Sequence, residues 1–248
     1  MKVTIASAPN AYRLTLSAPP LHILDIAMLE ELRDALASVN NDRHALILDA
    51  TGDQAFSAGA SVHDHVPERV ARMLAVFHDC FRKLARLDLV TVAIVRGAAL
   101  GGGCELALAC DFVLASPHAR FGVPEITLGV FPPVGAYQLS RQLPPRVGLE
   151  LMLTGASIDA IEAKRLGLIN DVFASDAEVD AWLQRLYRHS ASSLRLAKKA
   201  FRLAQADDFE QRLAETERLY LDELMKTRDA NEGIAAFIEK REPEWRGC

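Results

Sequence analysis

The sequence predicts an α/β fold: a core of alternating strands and helices followed by a wholly helical region. Short apolar runs rich in Val, Ile and Leu, typical of strands buried on both faces, alternate with segments whose apolar residues recur every three or four positions. No long linker separates these segments, which favours a single α/β core. Beyond about residue 176 every periodic segment is helical. We therefore predict a core of residues 1–175 and a helical region of residues 176–248.

The first part of the chain contains most of the predicted strands. Asp25 is expected to cap a helix after the second strand, and Leu29, Leu32 and Leu36 form one apolar stripe along it. Pro67 is expected to open a second helix, since proline suits the first helical turn. The predicted strands are Val3–Ala6, Tyr12–Leu16, Ala45–Ala50, Val90–Val95, Asp111–Ala115 and Phe121–Val123.

Two capping patterns mark helices in the second part. Asp159 and Glu162 have the spacing of a capping box, and Gly167 supplies a helix stop. Asp229 with Glu232 repeats that spacing and is expected to cap the last helix.

Composition excludes several classes of protein. Half of the 248 residues are hydrophobic and a quarter are charged, as in ordinary globular proteins. The net charge of −5 disfavours nucleic acid or an anionic membrane surface as a partner. No apolar stretch is long enough to span a membrane, and the amino terminus lacks a signal-peptide pattern. We expect a cytoplasmic protein.

Cysteine and histidine spacing predicts no metal site. The four cysteines form no Cys-x-x-Cys pair, and Cys104 and Cys110 are expected to be small buried hydrophobes. The other two cysteines are Cys80 and Cys248. The pair His63-x-His65 lacks a third ligand at a useful spacing.

A run of three glycines, Gly101–Gly103, separates a buried strand from an apolar helix that contains Glu105. Glycines at such a junction let the backbone approach a ligand and expose unpaired N–H groups, which favour a bound phosphate or a developing oxyanion. Cys104-Glu105 replaces the Gly-Lys-Ser/Thr ending of a phosphate loop, which favours the oxyanion. The alternative is a tight junction with a solvated Glu105, but its apolar neighbours disfavour it.

A second acid, Glu125, follows 20 residues later. Between the two acids the chain is expected to run out along a helix of about two turns and back along a strand. These two elements have comparable lengths, so the Glu105 and Glu125 carboxylates could converge. Two acids at one site suit the addition of water across a polarised double bond. The loop Ser57–Ser61 follows another buried strand and could supply a further N–H, or it could be an ordinary loop.

Three segments together resemble the enoyl-CoA hydratase (crotonase) superfamily. They are Phe56–Ala60 (Phe-Ser-Ala-Gly-Ala), Ala99–Glu105 (Ala-Leu-Gly-Gly-Gly-Cys-Glu) and Phe121–Glu125 (Phe-Gly-Val-Pro-Glu). The resemblance spans nearly the whole chain. It implies a spiral of ββα units with a carboxyl-terminal helical region that packs trimers, often paired into hexamers. It also implies an acyl-CoA substrate whose coenzyme A belongs to the substrate, so no separate cofactor is expected.

The resemblance also implies roles for single residues. Its thioester-enolate oxyanion hole maps onto the backbone N–H groups of Ala60 and Gly102, and its two acids onto Glu105 and Glu125. Isomerases and hydrolases of the superfamily commonly lack one of these acids, so the intact pair favours a hydratase. Phe237 and Lys240 match positions that reach the CoA nucleotide, although a core phenylalanine and a surface lysine are equally good interpretations. The full set of expected substrate contacts is Ala58, Ser61, Val62, His63, Pro133, Phe237 and Lys240.

Two departures from the superfamily pattern concern substrate and water. Ser61 replaces an acid that often follows the first oxyanion residue. Gly129-Val-Phe-Pro-Pro133 puts Pro133 where a glycine N–H helps to hold the water, and proline has no such donor. Water placement must therefore differ from that in an ordinary short-chain hydratase.

Several segments are similar to one branch, the cyclohexa-1,5-diene-1-carbonyl-CoA hydratases of aromatic degradation. These segments are Phe56–His65, Gly129–Pro133 and Tyr220–Met225. We therefore predict hydration of a cyclic dienoyl-CoA. The alternatives are a generic enoyl-CoA hydratase of fatty-acid metabolism, an isomerase or hydrolase of the same fold, a binding protein and an inactive partner subunit.

Overall fold

Ten strands and ten α-helices form the part of the chain that a computed structural model describes, residues 1–204 and 209–244. The strands are β1 (Val3–Ser7), β2 (Ala11–Leu16), β3 (Ala45–Ala50), β4 (Ala55–Ser57), β5 (Val90–Val95), β6 (Ala98–Leu100), β7 (Phe112–Ala115), β8 (Arg120–Gly122), β9 (Ser157–Asp159) and β10 (Asp171–Val172). The helices are α1 (Ile26–Ala37), α2 (Val70–Arg86), α3 (Gly102–Leu108), α4 (Pro133–Gln142), α5 (Pro145–Thr154), α6 (Ala160–Arg165), α7 (Asp176–Tyr187), α8 (Ala191–Ala204), α9 (Phe209–Asp222) and α10 (Arg228–Glu239). Short 3₁₀ helices span Val62–Asp64, Pro124–Leu128 and Leu224–Lys226.

The strands form two sheets that the chain visits in turn. A six-stranded sheet has the order β1-β2-β3-β5-β7-β10, and a four-stranded sheet has the order β4-β6-β8-β9. Each of the consecutive pairs β3–β4, β5–β6 and β7–β8 contributes one strand to each sheet, so the chain winds as a spiral. Strands β4, β6 and β8 are parallel neighbours, and the segments that follow them therefore emerge side by side. This edge of the smaller sheet carries the candidate site.

Both faces of the larger sheet are buried. In β3, Leu46 and Leu48 pack toward α1 and α2, whereas Ile47 belongs to a second apolar cluster. That second cluster includes Val179 and Leu183 of α7. Burial on both faces is the reason that the central strands read as continuous apolar runs.

The strand predictions are confirmed to within one or two residues at each end, and the predicted cap of α1 is confirmed. The Asp25 side chain accepts a hydrogen bond from the Met28 N–H at 2.8 Å. Two predicted helix starts are wrong. Helix α2 begins at Val70 instead of Pro67, because a turn closed by the Arg69 N–H on the Val66 carbonyl comes first.

Helix α10 is capped by Thr227, whose Oγ1 accepts the Ala230 N–H at 3.1 Å. Asp229 lies instead within the first turn, where its negative charge interacts favourably with the positive end of the helix dipole. At α6, Asp159 accepts the Glu162 N–H at 2.8 Å as expected, and Gly167 follows the helix with φ +78°.

The helices after residue 176 pack on the core of the same chain. The Lys198 ammonium of α8 lies 2.6 Å from Asp111. In α9, Glu210 pairs with Arg82 of α2 at 2.9 Å, and Tyr220 is buried in the main core. The division of the chain near residue 176 remains a prediction.

The described cysteines are all buried. Burial raises the pKa of the Cys80 and Cys110 thiols to about 12, and it also raises the pKa of Cys104. Cys248 lies outside the described residues. Among the helices of residues 1–204 and 209–244, none combines the length and apolarity needed to cross a membrane.

Candidate active site

Three segments meet around one cavity of about 590 Å³. The segment after β4 contributes Ala60, the segment after β6 contributes Gly101, and the 3₁₀ helix after β8 contributes Glu125. Because β4, β6 and β8 are adjacent in one sheet, these motifs become neighbours although 65 residues separate the first from the last. Helix α10 covers the cavity with Phe237 and Gly233.

Each glycine of the run Gly101–Gly103 is required by a different contact. A Cβ on Gly101, whose φ is +52°, would lie 2.7 Å from Glu125 Oε1. A Cβ on Gly102 would lie 3.2 Å from the Ala60 nitrogen. A Cβ on Gly103 would lie 2.2 Å from the Ser57 carbonyl oxygen. The glycines therefore allow α3 to begin directly against the loop that carries Ala60.

Two backbone N–H groups are available at this junction. Ala60 is held by a parallel bridge to Leu24, in which the Leu24 N–H donates to the Gly59 carbonyl and the Ser61 N–H to the Leu24 carbonyl. Gly102 is the first residue of α3, so its N–H has no acceptor within the helix. Neither N–H has a hydrogen-bond partner within the described ranges. Two such donors side by side can stabilise a developing oxyanion.

Glu105 is buried one turn into α3. Its Oε1 accepts a hydrogen bond from the Gly135 N–H at 2.5 Å. Burial and the nearby charge of Glu125 raise the pKa of Glu105 well above its usual range, against the opposing effect of the N–H groups of Val134 and Gly135. This carboxyl therefore holds a proton more tightly than an exposed glutamate does.

Glu125, in the 3₁₀ helix after β8, lines the cavity, whereas the buried Glu105 does not. Burial raises its pKa to about 7. Its Oε2 is buried and has no hydrogen-bond partner in the described part of the chain. Because the charge of Glu125 raises the pKa of Glu105, the two carboxyls disfavour double ionisation, and a protonated and an ionised carboxyl can coexist near neutral pH. Such a pair can accept one proton and deliver another.

The pKa of Glu125 leads to a prediction about stability. This carboxyl has a pKa of 4.5 in the unfolded chain and about 7 in the fold, so unfolding releases a proton between these pH values. The free energy of unfolding therefore falls as pH rises through this window. We expect the Tm of wild type to fall more steeply between pH 4.5 and 7 than the Tm of Glu125→Gln.

Differential scanning calorimetry across this pH range measures the effect. Glu150→Gln, at an exposed position of α5, is the control and should keep the wild-type slope. Equal slopes for wild type and Glu125→Gln would contradict the raised pKa. The residual slope in Glu125→Gln should reflect Glu105, whose pKa is raised in the same direction.

The structure places most of the expected substrate contacts at the cavity. Pro133 and Lys240 do not line it: Pro133 is buried as the first residue of α4, and Lys240 is exposed at the end of α10. The expected contacts that do line it are Ala58, Ser61, Val62, His63 and Phe237.

Two buried side chains near the site were assigned no role from the sequence, although His65 belongs to the pair weighed as a metal site and Tyr220 to the branch-like segment Tyr220–Met225. His65 lines the cavity, and its Nδ1 lies 2.8 Å from the Ser61 carbonyl oxygen; burial lowers its pKa, which favours the neutral ring. Tyr220 is 1% exposed, and its pKa is raised by burial and by the charges of Glu125 and Glu105. For Tyr220 the sequence offers two signals, its place in an apolar helical stripe with Leu213 and Leu224 and its place in the segment Tyr220–Met225. Within residues 1–204 and 209–244, no three His, Cys, Asp or Glu side chains are grouped as metal ligands.

Comparisons with known proteins agree with this geometry. The family model for enoyl-CoA hydratase/isomerase matches residues 9–248. A cyclohexa-1,5-dienecarbonyl-CoA hydratase of Thauera aromatica is 42% identical, over 99% of this chain and 96% of the relative. A 2,3-dehydroadipyl-CoA hydratase of Escherichia coli is 37% identical, over 94% of both chains.

Solved structures show the same fold. The crystal structure of a carnitinyl-CoA hydratase from Mycobacterium avium is 32% identical and superimposes with a TM-score of 0.84, covering 100% of this chain and 99% of that one. An enoyl-CoA hydratase from Bacillus halodurans gives a TM-score of 0.88 at 25% identity, covering 95% of this chain and all of the other. The predicted spiral of ββα units is thereby confirmed. This chain belongs to the enoyl-CoA hydratase/isomerase family and is a lyase of the enoyl-CoA hydratase type.

Proposed function

We propose that the enzyme adds water to a cyclic dienoyl-CoA through an oxyanion hole and two glutamates. The observation that carries the proposal is the buried pair Glu105 and Glu125, with raised pKa values, beside the unpaired N–H groups of Ala60 and Gly102. The choice of a cyclic acyl group is supported by the Thauera aromatica relative, whose name specifies such a substrate.

The chemistry follows from these positions. The oxygen of water forms a bond to the β-carbon while its proton passes to the ionised carboxyl, and the electron pair of the double bond moves toward the thioester oxygen. The N–H groups of Ala60 and Gly102 stabilise the negative charge on that oxygen. The protonated carboxyl then delivers a proton to the α-carbon, which completes the addition of one water. No cofactor beyond the coenzyme A of the substrate takes part in these steps.

We further propose that the enzyme works as a homotrimer or a hexamer in the cytoplasm, in the degradation of aromatic compounds. Large apolar side chains exposed on α5, α6 and α8 support assembly, because contiguous exposed apolar surface marks sites of contact between proteins. These side chains are Leu149, Leu153, Ile161, Leu196 and Phe201. Sedimentation velocity of the purified enzyme tests the assembly.

The second candidate is a generic enoyl-CoA hydratase acting on straight-chain substrates. It is supported by the Escherichia coli relative, whose named substrate, 2,3-dehydroadipyl-CoA, is open-chain. An isomerase of the same family would shift a double bond without adding water.

A turnover comparison in ¹⁸O-labelled water separates these functions. We expect kcat/KM for cyclohexa-1,5-diene-1-carbonyl-CoA to exceed that for crotonyl-CoA by at least about 10²-fold. A single methylene in an apolar pocket is worth about 1–3 kcal/mol, and the two acyl groups differ by several carbons. The product alcohol should carry one labelled oxygen. A preference for crotonyl-CoA would support the generic hydratase, and an unlabelled isomeric product would support the isomerase.

A further inference from the structure

Tyr220 carries a buried hydroxyl that the described part of the chain leaves without a hydrogen-bond partner. The side chain is 1% exposed and lies in α9, a helix that packs against α2 and α4. A buried hydroxyl without a partner costs about 1–3 kcal/mol relative to one that is hydrogen-bonded. A phenylalanine would fill the same apolar space without this cost, so the hydroxyl calls for a functional explanation.

A second unpartnered polar atom belongs to the same region. Glu125 Oε2 is buried and has no hydrogen-bond partner among the described residues. The charges of Glu125 and Glu105 both act on the Tyr220 hydroxyl and raise its pKa, in addition to the effect of burial. Contacts along the chain also link the two unpartnered groups: the Val130 N–H donates to the Glu125 backbone carbonyl at 3.3 Å, and the next residue, Phe131, packs against the Tyr220 ring.

The loop before α4 connects Tyr220 with Glu105. The Tyr220 ring lies edge-on against Phe131, with centroids 5.4 Å apart. Two residues beyond Phe131, Pro133 begins α4, and the Gly135 N–H then donates to Glu105 Oε1. Pro133 has no N–H, so residue 133 cannot donate a backbone hydrogen bond into this region.

We propose that the Tyr220 hydroxyl binds the water that is added to the substrate, holding it against Glu125 Oε2. A buried water usually makes about three hydrogen bonds, and these two unpaired oxygens are suitable partners for one. The tyrosine donates to or accepts from the water, while the carboxylate accepts a proton from it. Tyr220 would thus provide the hydrogen bond that a proline at position 133 cannot. This inference rests on the proposed hydration reaction.

Tyr220→Phe tests the proposal, because it removes only the hydroxyl. We expect kcat for hydration to fall about 10- to 10²-fold, with KM for the acyl-CoA changed less than about twofold, because a misplaced water slows the chemical step without altering acyl-CoA contacts. Tyr187→Phe is the matched control, since it removes a half-buried tyrosine hydroxyl that packs against the second apolar cluster and does not line the cavity. It should retain wild-type kcat.

A high-resolution crystal structure of the wild-type enzyme gives a second readout that does not depend on turnover. We expect an ordered water within 3.2 Å of both Tyr220 Oη and Glu125 Oε2, and the loss of that water in Tyr220→Phe. A wild-type structure without this water would overturn the proposal, as would an unchanged kcat in Tyr220→Phe.

These outcomes are distinguishable from failure of the proposed function. If Glu105→Gln and Glu125→Gln are inactive while Tyr220→Phe is fully active, hydration stands and the role of Tyr220 is wrong. If the wild type hydrates neither acyl-CoA, the proposed function fails and with it the catalytic role of this water. An ordered water at Tyr220 Oη and Glu125 Oε2 would then show binding of water only.

Discussion

Replacing either Glu105 or Glu125 with glutamine is expected to lower kcat for hydration about 10²- to 10⁴-fold, the usual contribution of a general acid or base. Glutamine keeps the volume of glutamate and can accept a hydrogen bond, but it neither takes up nor delivers a proton at neutral pH. At position 105 its amide oxygen can still accept the Gly135 N–H, so the start of α4 should keep its place. KM should change little, because substrate contacts remain.

The measurement is steady-state hydration with each single variant, the double variant and Glu150→Gln. The control lies on the exposed face of α5 and should match wild type. The double variant should be only slightly slower than either single variant, because residues that act as a unit are strongly non-additive. Single variants that both retain wild-type kcat would exclude acid–base roles for this pair.

The second large effect is expected at the proposed oxyanion hole, where Gly102→Ala should lower kcat/KM about 10- to 10²-fold. The added Cβ would lie 3.0 Å from Phe77 Cε2 and 3.2 Å from the Ala60 nitrogen. The aromatic ring can move by a few tenths of an ångström, but the backbone of Ala60 is held by its bridge to Leu24. The two N–H donors are therefore forced apart, and oxyanion stabilisation depends on their geometry.

A second substitution separates this effect from simple overpacking. Phe77→Leu removes the ring atoms that the new methyl group would touch, but it leaves the Ala60 nitrogen in place. Gly102→Ala/Phe77→Leu should therefore recover part of the Tm lost in Gly102→Ala without recovering kcat/KM. Phe77→Leu alone is the control for the lost aromatic contact with Phe81. Recovery of full activity in the double variant would show that the clash with Phe77, and not the position of Ala60, limits the reaction.

Sequence reasoning succeeded where the deciding interactions are local. Apolar runs predicted the central strands because both faces of each strand are buried, as the two apolar clusters on either side of β3 show. The cap at Asp25 depends on a hydrogen bond between residues only three positions apart, Asp25 and Met28. The starts of α2 and α10 were less predictable, because Val66 and Thr227 offer competing turns and caps next to Pro67 and Asp229.

The sequence by itself determined the family and the buried central strands, because motifs such as Gly101–Glu105 and the apolar runs are short and contiguous. It did not reveal the short strands β4, β6, β9 and β10 or the helices α4 and α5. Only the tertiary structure decided which groups share one environment. The pKa values of Glu105 and Glu125 rise because both carboxyls are desolvated near each other, although 20 residues separate them. Tyr220 joins them from a helix 95 residues beyond Glu125. Desolvation and Coulomb interaction depend on distance in space, so the similarity of the segment Tyr220–Met225 to one branch could not place its hydroxyl near the two carboxyls.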